Sequence, residues 1–379
     1  MTARTQGRPT QAIIDLNALA FNFHSAKDFI GSTVKYMAVV KADGYGHGAI
    51  ECALRLEAEG VDWFGVAIPE EGLELREAGI KRPILCLGSF WPGQEELIVQ
   101  NKLTPVIYDH NTAEDLNNYA GDHSLTVDIH VKIDTGMGRV GVPNEVVADF
   151  AKYQKNLRHL NIAGLMTHFA SAENPDESAF TELQINRFNT ACEDFRNAGH
   201  TPEWIDLANS PGAIRHPDSR GNLVRLGGAL YGLIDDILPA NVQQPELKAV
   251  LSLRSRIAHV KKIPSGESVG YGRTFVTKRD SLIALVPIGY ADGYPRGLSN
   301  CGRACVNGRL VPVVGRISMD WTLLDVTDIP NVAADDDVFL IGGEAGCNVS
   351  AADLAGAIGT IGYEITCGIL PRVPRIFIG

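Results

Sequence analysis

Eight short β-rich runs recur between residues 34 and 227, and apolar residues at helical spacing fill much of what lies between them. The runs are VKYMAVVK (34–41), WFGVA (63–67), PILCLG (83–88), TPVIYD (104–109), VDIHVKID (127–134), IAGLMTHF (162–169), EWIDLAN (203–209) and NLVRLG (222–227). Stretches such as AIECALRLEAEG and PEEGLELREAGI separate them. Strand–helix alternation calls for right-handed βαβ units and a parallel sheet, and eight such units predict a (β/α)8 TIM barrel. QAIIDL (11–16) is then one strand too many and is assigned to the other domain. From about residue 246 the texture changes to alternating β runs, with Asn307-Gly308 as a two-residue hairpin signal and SAADLAGAIG (350–359) as a helix. The expected organisation is a barrel over 1–245 followed by a mostly β C-terminal domain over 246–379.

Charge and composition exclude several functions. The 379 residues carry a net charge of −11, which argues against nucleic acid or an anionic membrane as partner. MTARTQGRPTQ has no apolar stretch of a secretory signal, and no run approaches the roughly 18 apolar residues of a membrane span. Seven scattered cysteines read as free thiols in a reducing compartment, since Cys301 and Cys305 have no second metal-spaced pair beside them. The expectation is a cytoplasmic, metal-free protein.

Polar residues stand where barrel chemistry is done, at the C-terminal ends of the strands. Lys41 ends the first run, Lys132 lies late in the fifth, and Arg139 follows in the loop DTGMGRVG. His168 ends the sixth, Asn209 and Ser210 the seventh, and Arg225 lies late in the eighth. Lys41 has two readings, a salt-bridged rim lysine or a Schiff-base lysine made nucleophilic by partial desolvation and neighbouring cations. The loops Asn209-Ser210-Pro-Gly and Arg225-Leu-Gly227-Gly228 offer a hydroxyl and close-approaching N–H groups to a phosphate; tight turns are the plain alternative. A Schiff-base lysine with a phosphate cradle points to pyridoxal phosphate. Gly44-Tyr-Gly46-His-Gly48-Ala49 also fits a dinucleotide fingerprint, with Glu70 at the ribose position. Lys-Ala-Asp between strand and first glycine weakens that reading.

In order along the chain, AVVKADGYGHG, HVKIDTGMGRVG, THFA, ANSPG, VRLGGALYGL, VGYGRTF, IGYADGY, GRISMD and TIGYE together resemble bacterial alanine racemases. The resemblance implies pyridoxal 5′-phosphate bonded to Lys41, with Tyr45, Ser210, Tyr363 and the backbone of Gly227 and Gly228 on its phosphate. It places His168 against the ring and Arg225 at the pyridine nitrogen. Arg139, the Met319 backbone and Tyr290 would receive substrate, and Lys132 occupies a position carbamylated in many relatives. Tyr271 would reach the site from the other subunit of a homodimer as the second base, serving the L-alanine face while Lys41 serves the D face. Inverting an α-carbon needs such opposed groups, because one base rarely reaches both faces. Arginine cannot accept a proton, so the ring nitrogen would stay unprotonated and side reactions would be less favoured.

Three departures stand out: Gly270 where relatives have serine, Ser318 for cysteine and Gly362 for asparagine. They leave a broader alanine/serine racemase as the alternative. Barrel-type decarboxylases and a non-catalytic cofactor binder fit less well, for want of VGYGRTF in one and of a β domain in the other. The sequence does not choose between D-alanine supply for cell walls and alanine catabolism.

Overall fold

In the computed structural model, which describes residues 7–239, 242–344 and 346–379, every one of the eight expected runs is a strand. They are β2 (Lys35–Val39), β3 (Trp63–Val66), β4 (Ile84–Cys86), β5 (Thr104–Ile107), β6 (Val127–Asp134), β8 (Leu160–Met166), β9 (Trp204–Asp206) and β10 (Leu223–Leu226). Two others flank or extend them, β1 (Gln11–Asp15) and the two-residue β7 (Val142–Pro143) beside β6. The eight pair in parallel in the order β10-β2-β3-β4-β5-β6-β8-β9. Hydrogen bonds from Asn222 N to Ile205 O (3.1 Å) and Arg225 N to Ala208 O (2.9 Å) draw the last two together, so the sheet is a nearly closed barrel.

Strand side chains alternate with a period of two, and this decides what fills the barrel. Met37, Trp63, Leu85, Val106, Met166 and Leu223 form an interior cluster. Their neighbours Tyr36, Phe64, Ile84, Ile107 and Leu165 point outward and pack in the main core, to which the surrounding helices contribute Leu56, Leu75 and Phe188. Counting by twos from the interior set leads straight to the chemistry: Met37, Val39, Lys41; His130, Lys132; Met166, His168; Leu223, Arg225, Gly227. Gly164 belongs to the same inward series. A Cβ there would lie 2.5 Å from the His130 ring, so glycine makes room for the imidazole.

The β domain begins with β11 (Leu251–Arg256) and β12 (His259–Ile263), then β13 (Ser268–Val269), β14 (Phe275–Val276) and β15 (Ser281–Val286). It continues through β16 (Arg303–Val306), β17 (Arg309–Pro312), β18 (Thr322–Asp325), β19 (Asp337–Glu344), β20 (Cys347–Val349) and β21 (Arg375–Ile378). The continuous run AVLSLRSRIAHVKKI breaks into two strands in different sheets. β1 lies between β11, antiparallel, and β21, parallel. The β16–β17 hairpin turns on Asn307 (φ 47°) and Gly308 (φ 71°), as the dipeptide predicts. Ser350 caps the helix Ala351–Ile358 through a reciprocal pair with Asp353, and Gly359 ends it at φ 72°. No helix among the described residues is long and apolar enough to cross a membrane.

One expectation is corrected. Cys305 and Cys347 are paired as a disulfide, with Cα atoms 6.1 Å apart, while Cys52, Cys86, Cys192, Cys301 and Cys367 remain unpaired. β19 bonds to both β16 and β20 and brings these two cysteines together across 42 residues, which spacing alone could not reveal.

Asn22, wholly buried on the first helix (Leu16–Ile30), ties the barrel to the segment leading out of it. Its Nδ2 donates to Leu230 O (2.9 Å) and Lys248 O (2.7 Å), and its Oδ1 accepts from Lys248 N (2.7 Å). Asn22→Leu should lower stability by about 2–4 kcal/mol, because it strands buried backbone groups; urea unfolding of both proteins measures this.

Candidate active site

A cavity of about 720 Å³ opens at the C-terminal end of the barrel strands. Lys41, Tyr45, Lys132, Arg139 and His168 line it, as do Ser210, Arg225, Gly227, Gly228 and Tyr363. Ten of the thirteen residues given a role by the resemblance therefore meet in one place. Tyr271, Tyr290 and Met319 do not; they are 73%, 41% and 53% exposed on the β domain. The loops of Tyr290 and Met319 are joined there, Ala291 N donating to Met319 O (3.0 Å) and Tyr290 N to Ser318 O (3.1 Å), and Gly272, next to Tyr271, packs on Arg316.

Lys41 leads out of β2 into an unusual turn. Ala42, Asp43, Gly44 and Tyr45 all have φ between 53° and 60°, a left-handed turn that costs L-residues about 1–2 kcal/mol each. Glu71 helps to hold it, accepting from Ala42 N (2.7 Å) with one oxygen and from Ala67 N (2.7 Å) with the other. The glycines that follow serve packing. A Cβ on Gly46 would collide with Thr366 O, and one on Gly48 would lie 2.6 Å from the Phe377 ring. The dinucleotide reading therefore fails: these glycines receive the C-terminal segment of the same chain, and the sheet is a barrel.

Arg225 organises the floor of the cavity. It is 3% exposed and paired with Asp206, which is 0% exposed. Its Nη2 donates to Thr167 O (2.9 Å), Leu207 O (3.1 Å) and His168 Nδ1 (3.1 Å). Because His168 Nδ1 accepts, its proton sits on Nε2. Burial, then Arg225 and Lys132, hold His168 well below the ordinary histidine pKa, so the ring is neutral. Burial, then Arg139 and Arg225, hold Lys41 below the usual lysine range, with Glu71 opposing. Lys132 is lowered to about 8 by burial and by Arg225, Arg139 and Lys41.

On the opposite wall two phenols converge on two glycines. A Cβ on Gly227 would lie 2.7 Å from Tyr45 Oη, and one on Gly228 would overlap Tyr363 Oη. Burial raises both phenol pKa values, so each keeps its proton and stays a donor. Gly227 N donates to Ser210 Oγ (3.0 Å), and Asn209 Oδ1 caps the following turn through Gly212 N (3.0 Å). Hydroxyls and bare backbone thus surround a space suited to an oxyanion. Arg139 is presented by a loop folded on Asp134, whose Oδ1 accepts from Gly136 N (3.0 Å) and Gly138 N (3.1 Å).

Sequence reasoning missed Asp206, Glu71 and Asp236. Asp206 had one signal, a carboxylate in phase with the inward positions of an apolar run. Asp236 lines the cavity and accepts from Gly362 N (3.0 Å), and its carboxylate occupies the space a Gly362 side chain would need. The glycine at this point is thereby explained. Gly270 has φ 75°, which suits glycine better than serine.

Asp206→Ala should cost about 3–5 kcal/mol, because it leaves a buried guanidinium without its counter-charge. Removing the exposed Lys152–Asp149 pair, by contrast, should cost under about 1 kcal/mol. Denaturant titration of the two variants side by side provides the check.

Comparison with known proteins agrees with this geometry. Residues 14–235 match the family described as alanine racemase, N-terminal domain, and 250–377 match alanine racemase, C-terminal domain. The chain is 44% identical over 370 residues to an alanine racemase of Halothermothrix orenii, covering 97% of this chain and 96% of that one. It superposes on the crystal structure of alanine racemase from Streptomyces lavendulae with a TM-score of 0.92 at 33% identity, covering 99% and 98%. For the Bartonella henselae alanine racemase with covalently bound pyridoxal phosphate the TM-score is 0.88 at 30% identity, covering 98% of this chain and all of that one. A serine-accepting alternative draws no support from these relatives. The chain belongs to the alanine racemase family, whose reaction is the interconversion of L- and D-alanine.

Proposed function

We propose that this racemase works with pyridoxal phosphate on Lys41, and that Lys41 and Tyr271 of a second copy are its two proton-transfer groups. The observation that carries the reading is the Gly227–Gly228 cradle facing Tyr45 and Tyr363, set in the same cavity as a lysine of depressed pKa. The residues present fit the cofactor: Tyr45, Tyr363, the Ser210 hydroxyl held by Gly227 N and the bare Gly227–Gly228 backbone suit its phosphate, and Arg225 suits its ring nitrogen. When bound, the cofactor supplies an electron sink that eases loss of the α-proton.

The chain's own groups do the rest. Arg139, with Tyr290 and the Met319 backbone of a second copy, orients the substrate carboxylate. Lys41 Nζ takes or returns the proton on the D-alanine face, and Tyr271 Oη does so on the L face. A phenolate at Tyr271 needs a donor, and the Nε2–H of His168 is free to provide one, because Nδ1 is occupied by Arg225. The exposure of Tyr271, Tyr290 and Met319 outside their own chain's cavity supports a homodimer in which each half-site is completed by the other copy. Five of the seven cysteines are unpaired, as a reducing compartment favours, whereas the Cys305–Cys347 disulfide counts the other way.

Racemisation of L-alanine in deuterated water should take optical rotation to zero while α-deuterium enters. Tyr271→Phe should slow proton abstraction from L-alanine by about 10²–10⁴-fold, the ordinary worth of a positioned base. Because the enantiomers are equal in free energy, kcat/KM must fall equally in both directions. α-Deuterium exchange into D-alanine should survive in Tyr271→Phe while exchange into L-alanine is lost, and equal loss of both exchanges would sink the two-base assignment. Lys41→Ala and Tyr271→Phe, each at about one per cent of wild type or less alone, should recover roughly a quarter of wild-type activity on co-expression, since random pairing gives mixed dimers with one intact site. No recovery refutes the shared site.

Lys132 is proposed as the carbamylated residue. Its neutral amine would add to CO2, forming the N–C bond and releasing one proton, and the new carboxylate would face Arg139. With its pKa at about 8, roughly half the amine is neutral at pH 8, against well under one per cent for an ordinary lysine. The adduct should therefore grow as pH rises through about 8 and vanish in Lys132→Met. Native mass spectrometry at two bicarbonate concentrations reads it directly.

A further inference from the structure

His47 is completely buried and has no part in the scheme above. Its Nδ1 lies 3.0 Å from Gly44 O and 3.0 Å from Tyr45 O. Both partners are acceptors, so Nδ1 must carry the proton. Burial lowers the pKa to about 4, which keeps the ring neutral near pH 7. The ring is fixed against Tyr231 at a centroid distance of 4.6 Å. Tyr231 in turn packs 5.0 Å from Tyr45 and donates its hydroxyl to Val39 O (3.1 Å), two residues before Lys41.

The two carbonyls that His47 engages belong to the left-handed turn Ala42–Tyr45. L-residues do not hold that conformation unaided, and it persists only where its surroundings over-determine it. Glu71 fixes the start of the turn, and Arg375 Nε reaches Gly46 O just beyond its end (3.2 Å). Between these two fasteners, the stretch carrying Tyr45 is engaged by His47. Were Tyr45 to relax to negative φ, its side chain would swing away from Gly227.

We propose that His47 is the positioning residue of the cofactor loop: its Nδ1–H, shared between the carbonyls of Gly44 and Tyr45, holds the left-handed turn that directs Tyr45 Oη at the Gly227–Gly228 cradle while Lys41 stays in the cavity. This rests on the reading that Tyr45 binds the cofactor phosphate.

The test is pyridoxal phosphate affinity of the stripped enzyme, by equilibrium dialysis, with kcat and KM for alanine after reloading. His47→Phe keeps an aromatic ring and removes the donor; it should weaken cofactor binding by about tenfold or more, the effect of leaving Tyr45 O without its donor, while Gly44 O keeps the backbone N–H of His47. Its KM for alanine should stay within about threefold while kcat falls. His47→Asn restores an N–H close to where Nδ1 stood, and should recover affinity to within about threefold of wild type. Cofactor binding by His47→Phe within about twofold of wild type, or His47→Asn as weak as His47→Phe, overturns the proposal. Should His47→Phe fail to fold by circular dichroism, His47→Asn decides: recovery supports the donor role and a tenfold loss removes it. Tyr45→Phe is measured in parallel. Unchanged affinity there defeats the phosphate reading itself, whereas a loss in Tyr45→Phe with none in His47→Phe defeats only the inference about His47.

Discussion

The barrel is joined where it does its chemistry by one guanidinium. The hydrogen-bonded ladder runs unbroken from β10 round to β9, and the seam between those two strands is left to a few bonds. Arg225 spans it. From β10 it reaches Asp206 and Leu207 O on one neighbour and Thr167 O at the end of the next. A buried arginine must find acceptors for its N–H groups or cost several kcal/mol, and those it finds here come from adjoining strands. Closure of the sheet and orientation of His168 are consequently one event. Loss of Asp206 would disturb both.

What could be read from sequence follows from periodicity. A period of two along eight runs gives the strands, their inward faces and hence Lys41, Lys132, His168 and Arg225 at one mouth. The Asn307-Gly308 hairpin and the Ser350 cap are equally local, since each is decided within four residues. What could not be read depends on partners far away in the chain. Gly46 is glycine because Thr366 packs on it, and Gly362 because Asp236 does. Cys305 meets Cys347 only once β19 lies between them. The left-handed turn is the sharpest case. Its residues include Ala42 and Tyr45, which have no preference for positive φ, and no local pattern announces it.

The β domain is more than an attachment to the barrel. Tyr363 comes from the short helix Gly362–Cys367, and Phe377 and Arg375 from β21 close on Gly48 and Gly46. β1, the first strand of the chain, sits between β11 and β21 in the other domain's sheet. The barrel thus begins and ends under the β domain, and the cavity draws side chains from both. Tyr290 and Met319 sit on that domain's surface, held by backbone bonds between their loops and by Asp292, whose carboxylate takes Arg8 Nη1 (2.7 Å) and Gly289 N (3.0 Å). A boundary drawn by fold cuts through a single functional unit.

Charge gives the site its character. A chain with net charge −11 gathers Lys41, Lys132, Arg139 and Arg225 around one cavity. Such a cluster is unfavourable in a partly desolvated space unless anions enter it or protons leave it. Both responses follow. The oxyanion cradle and the exposed Arg139 are suited to negative charge, while Lys41, Lys132 and His168 are all displaced towards their neutral forms. On the proposed reading, Lys41 as nucleophile and base needs that displacement, and His168 as an uncharged donor from Nε2 needs it too. On that reading the cations that would attract an anionic ligand are the ones that would make Lys41 reactive towards it. Replacing one of them with a neutral residue would weaken both properties together, so neither can be tuned alone by changing the cluster.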